Sequence, residues 1–111
     1  MNNKKNNRIS PRSFVDIAVF VYVMESWVGC KTIDLSLEAI SVELPYPLIQ
    51  GSVVALDIHQ SQGMKKHEML TEILRCDALE TDPVTHRTVI KFIDPSKSFM
   101  EDAKSLIQSN S

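Results

Sequence analysis

Two short stretches hold the residues best suited to chemistry. Arg8-Ile-Ser-Pro-Arg12 carries two guanidinium groups four positions apart, and Asp34-Leu-Ser36-Leu-Glu-Ala39 carries a carboxylate and a hydroxyl two positions apart. A guanidinium is a planar fork that bonds two acceptors in parallel, stacks on an aromatic base and neutralises a phosphate, tasks lysine performs poorly. A carboxylate accepts hydrogen bonds, and a hydroxyl both donates and accepts them. Together these groups are suited to holding an anionic, aromatic ligand.

Other chemistries lack their parts. His59, His67 and His86 have neither the short spacing of metal ligands nor cysteines nearby, so they read as surface histidines and no metal is expected. Cys30 and Cys76 stand far apart without a Cys-x-x-Cys pair and read as packed thiols. The chain contains no glycine-rich phosphate loop, His-Glu-x-x-His or Gly-x-Ser-x-Gly, and its acidic residues on the strands and loops lie singly. No enzymatic activity is expected.

The elements that position the two stretches must fit one domain, because 111 residues bury a single core. With 43% hydrophobic and 23% charged residues, the composition is that of a globular protein. A net charge of −2 argues against general nucleic-acid binding, which needs a basic surface. The longest apolar stretch, Val15 to Met24, is interrupted by Asp16 and has about half the length of a membrane-spanning helix, so no membrane insertion is expected. The polar start MNNKKNN and the cysteine usage point to a reducing cytoplasm.

Residues 1 to 13 are polar, hold Lys4, Lys5, Arg8 and Arg12, and lack apolar spacing, so they read as a flexible basic tail. From Phe14 the pattern alternates strictly: Val15, Ile17, Val19, Val21 and Val23 share one face of a strand. A turn near Glu25 and Ser26 leads to a second strand from Val28 to Leu37, with Thr32, Asp34 and Ser36 expected on one face and Ile33, Leu35 and Leu37 on the other. Ala39 to Leu44, Ser52 to Ile58 and His86 to Ile93 are further strands. Glu68 to Leu79 fits a helix or a strand equally well. Asp94 is expected to cap a final helix with Pro95 in its first position, and Phe99, Ala103, Leu106 and Ile107 form its apolar stripe. Trp27 and this helix are both expected to pack on the core.

In order and spacing, Arg8-Ile-Ser-Pro-Arg12 matches the RxxxR motif of PilZ domains, and Asp34-Leu-Ser36-Leu-Glu-Ala39 nearly matches their DxSxxG motif. The chain therefore resembles a stand-alone PilZ domain over nearly its whole length. The resemblance implies a mainly β fold: a six-stranded antiparallel barrel with a C-terminal helix over residues 14 to 111, and a strand for Glu68 to Leu79. It also implies that the ligand is cyclic di-GMP, held by Arg8, Arg12, Asp34, Ser36 and Ala39, with no cofactor, and that a monomer or weak dimer passes the signal to a protein effector in motility or biofilm control.

Ala39 departs from the pattern, which has glycine there. Were the backbone left-handed at this position, alanine would cost about 1 to 2 kcal/mol, and its methyl group could crowd the ligand. The alternative reading is thus a degenerate PilZ interaction module that binds no nucleotide. If the site is intact, Arg8 and Arg12, up to roughly 13 Å apart when extended, converge on one ligand only when the tail turns. Ordering about five residues at 1 to 2 kcal/mol each, against charged hydrogen bonds of about 1.5 to 3 kcal/mol each, predicts near-micromolar affinity, around −8 kcal/mol.

Overall fold

Short valine- and isoleucine-rich runs separated by turns can each hide one face by pairing edge to edge until the sheet closes on itself. The computed structural model, which describes residues 12–61 and 63–109, shows this outcome. Seven strands, β1 (Arg12–Phe14), β2 (Val19–Val23), β3 (Ser26–Ser36), β4 (Ala39–Leu44), β5 (Val53–Ile58), β6 (His67–Ala78) and β7 (His86–Phe92), precede one helix, α1 (Lys97–Ser109). Six of them close an antiparallel barrel in the order β3-β2-β5-β6-β7-β4, with β4 pairing back onto β3. The seventh, β1, pairs with the C-terminal half of β3.

The first strand differs from expectation. Arg12 and Ser13, read as tail, belong to β1, and the run from Phe14 to Met24 breaks at residues 15–18. Its alternation nevertheless persists: Ser13, Val15, Ile17, Val19 and Val21 are all buried. The cause lies in β3, which changes register against β4 between Thr32 and Asp34. Thr32 faces Val42 and Leu35 faces Ile40, so both point inward although they are three residues apart. Thr32 is therefore not on the face of Asp34 and Ser36, because a bulge moves every later side chain to the opposite face. Its hydroxyl fills the resulting gap, donating to the Val15 carbonyl (2.9 Å) and accepting from the Ile17 amide (3.2 Å).

The ambiguous segment is β6. A second register shift, between Ile73 and Arg75, and two apolar residues on the outer face, Leu70 and Leu74, explain why its pattern imitates a helix. The turn between β2 and β3 is Met24-Glu25, both with positive φ (49° and 64°), as a twisted two-residue hairpin demands.

One end of the barrel is covered by α1, whose buried residues Phe99, Ala103, Leu106 and Ile107 are the expected stripe. Its cap is Ser96, whose hydroxyl accepts from the Phe99 amide at 3.0 Å; Asp94 instead takes a left-handed turn (φ 49°), so Pro95 precedes the cap. Beneath α1, the ring of Phe99 meets Phe92 and His67 edge-on, with centroids 4.8 and 5.3 Å away. His67 is not a surface histidine: its side chain is 9% exposed and lies 2.8 Å from Asp102 of α1. Trp27 is not in the core; it is 44% exposed, with its ring edge-on to Tyr22. No described helix is long and apolar enough to cross a membrane.

Candidate functional site

Past the bulge, alternation turns Asp34 and Ser36 to the outer wall of the barrel, where β3 runs between β1 and β4. Arg12 is directly opposite Ser36, and Phe14 directly opposite Asp34. The two motifs therefore meet in register at one place on the wall. Arg8 lies outside the described residues. Across β4, Ser41 and then Val89 of β7 continue the row from Asp34.

Ser36 closes the tight connection from β3 to β4. Its hydroxyl accepts from the amides of Glu38 (3.2 Å) and Ala39 (3.1 Å) and donates to the Ala39 carbonyl (3.2 Å). A serine spaced in this way from a strand start favours such a local turn. Ala39 opens β4 and is not among the residues with positive φ, so alanine costs nothing in backbone strain here. Its methyl group is on the outer face, opposite Lys91 of β7 and next in line to Ser41.

Asp34 is buried, with its side chain 11% exposed, and is paired with a cation: Arg87 Nη2 lies 3.5 Å from its Oδ2. Arg87 stands on the outer face of β7, two strands away, opposite Glu43 of β4 and Asp77 of β6. Sequence reasoning missed it, because a single arginine on an alternating strand resembles any solvated charge. Phe14 was missed as well. It is 80% exposed, and its ring stands beside Asp34 where it can stack on a planar ligand. Its signal was legible: in the alternation that buries Val15 and Ile17, an aromatic at position 14 falls on the outer face.

The cysteines are set apart from this wall. Burial pushes the Cys30 thiol up to about 12, beyond any use as a nucleophile at neutral pH. Cys76 accepts hydrogen bonds from the Leu48 amide (3.4 Å) and the Thr88 hydroxyl (3.5 Å). Among the described residues, no three His, Cys, Asp or Glu side chains cluster as metal ligands would.

Over residues 6–109 the chain matches the family model of the PilZ domain. It is similar in structure to the PilZ domain with c-di-GMP of YcgR from Escherichia coli, with a TM-score of 0.73 and 16% identity over 95% of this chain and 92% of that one. MotI, an inhibitor of motility from Bacillus subtilis, aligns with a TM-score of 0.71 and 15% identity, and the MrkH–c-di-GMP complex of K. pneumonia with 0.74 and 9%. These alignments cover 95% and 94% of this chain but only 49% and 52% of those proteins, so the chain spans about half their length. At such identities the likeness is one of fold. No curated protein matches the sequence.

Proposed function

Because this chain belongs to the PilZ domain family, we propose that it is a cytoplasmic receptor for cyclic di-GMP that reports the occupancy of its site to a protein partner in motility or biofilm control, and that it has no catalytic activity of its own. The observation that carries this reading is the register of β1 on β3, which sets Arg12 opposite Ser36 and Phe14 opposite Asp34 on one wall. In this reading the barrel with α1 is the rigid body, and the residues before β1 form the arm that brings Arg8 to the ligand. Arg8 and Arg12 neutralise the phosphates and read guanine edges. Asp34 accepts from a guanine, and Phe14 stacks against its ring.

Ser36 has a dual role here. Its hydroxyl holds the β3–β4 connection in shape, and the loop so formed presents the Ala39 backbone to the ligand. The extended conformation of Ala39 supports a working site, since the strain that would have weakened it is missing. What remains of the glycine-to-alanine difference is one methyl group against the nucleotide.

Support for the ligand comes from the family and from the YcgR domain described with c-di-GMP, similar over nearly all its length. Isothermal calorimetry with cyclic di-GMP at a protein concentration near 100 μM, roughly a hundred times the expected dissociation constant, tests the proposal. A saturable heat is expected. No heat under these conditions would sink the receptor reading and leave the nucleotide-free module in its place.

A further inference from the structure

We infer that Arg87 is a positioning residue of the nucleotide site: it holds the Asp34 carboxylate in the orientation that accepts a guanine. The inference rests on the receptor reading above and adds to it a group that neither sequence motif contains.

Arg87 has acidic neighbours directly across on both sides, Glu43 and Asp77. Both are engaged elsewhere. Glu43 accepts from the Thr85 hydroxyl at 2.7 Å, and Asp77 accepts from Arg75 Nε at 2.6 Å. The guanidinium instead reaches across β4 to Asp34, 3.5 Å from Oδ2; the β4 residue that pairs with Asp34 is the short Ser41. Among the described residues its Nε is buried and finds no acceptor. An unsatisfied buried N–H is unfavourable, so a conformation that keeps it is held by something else. The Asp34 carboxylate is the group in place to do so.

A carboxylate bound side-on to the Watson–Crick edge of guanine accepts from N1–H and N2–H together, which requires its plane to be fixed relative to the base. Asp34 sits on a strand that bulges two residues earlier and has Arg87 at one oxygen. With that oxygen anchored, the carboxylate plane cannot turn freely about the side-chain torsion. Adenine offers an acceptor at N1 where guanine offers a donor, so a fixed Asp34 rejects it. Arg87 thereby acts on affinity and on base choice through Asp34 and not by touching the ligand.

The test uses the full chain, with dissociation constants read by displacement of a fluorescent cyclic di-GMP analogue by cyclic di-GMP and by cyclic di-AMP up to millimolar concentration. Arg87→Ala should weaken cyclic di-GMP about tenfold, equivalent to one charged hydrogen bond, and should narrow the preference over cyclic di-AMP. Arg87→Lys should recover part of the loss. In an Asp34→Asn background, Arg87→Ala should have no further effect, and melting of the free single variant should shift by no more than about 2 °C. The inference is overturned if Arg87→Ala binds as the parent does, if its loss is equal for both nucleotides, if the loss persists undiminished with Asp34→Asn, or if it comes with a collapse in melting temperature. Failure of the unmodified chain to bind cyclic di-GMP is a different result, which removes the receptor reading itself.

Discussion

The wall that carries Asp34 and the barrel end covered by α1 are built on opposite plans. At the α1 end, Phe99 is fully buried against Phe92 and His67, and the polar groups there are satisfied within the fold: Asp102 accepts from the Lys65 amide at 3.1 Å and lies 2.8 Å from His67 Nε2. At the wall, Phe14 stands 80% exposed, Arg87 Nε is buried without an acceptor among the described residues, and the Arg87–Asp34 pair is a long 3.5 Å. One region is assembled for stability. The other leaves local rules unmet, which agrees with the proposed site. The two are joined by β1, because Ser13, next to Arg12, donates to the Ile107 carbonyl in the last turn of α1 at 3.0 Å.

This contrast predicts that substitutions at the α1 end change stability and spare affinity, while those at the wall act chiefly on affinity. The largest effect is expected from Phe99→Ala, which opens a cavity under α1 and should cost about 3 to 5 kcal/mol in urea unfolding. Any protein still folded should bind cyclic di-GMP normally. Next, Arg12→Ala should cost about 2 to 3 kcal/mol of binding in calorimetry and leave melting of the free protein nearly unchanged. If melting falls sharply instead, Arg12 belongs to the stability side of the comparison.

Asp102→Asn should cost about 1 kcal/mol at neutral pH, the worth of its hydrogen bonds. The bond with His67, then that with the Lys65 amide, holds the Asp102 carboxyl below its ordinary value. A carboxyl whose value is lowered on folding contributes stability that is present above its unfolded value and is lost as pH falls through the folded one. The advantage of the parent over Asp102→Asn should thus be full above about pH 5 and shrink below about pH 4, in denaturation curves collected across that range. The smallest effect belongs to Ala39→Gly, which should tighten nucleotide binding a few-fold by removing a methyl group, and should cost about 0.5 to 1 kcal/mol of stability because glycine is poor in a strand. Unchanged affinity would show that the methyl group does not meet the ligand.

Most of the architecture is legible in the chain because β-branched alternation and turn residues are local signals. The spans of β4 and β7 and the buried stripe of α1 follow from period alone. The departures have specific causes. Ser96 takes the cap because Asp94 is drawn into a left-handed turn, and β6 hides its strand character behind a bulge and two outward leucines.

By itself, the sequence determined the class of fold, the family and the common face of Asp34 and Ser36, since these depend on residue type and on periods of two and 3.6. Tertiary structure decided which of them meet. The bulge at Thr32 sends Asp34 outward while keeping Thr32 in the core, and barrel closure brings β7 and its Arg87 within 3.5 Å of a residue 53 positions earlier. Neither is a local property. A bulge responds to the register of both neighbouring strands, and the closure of a barrel to all six.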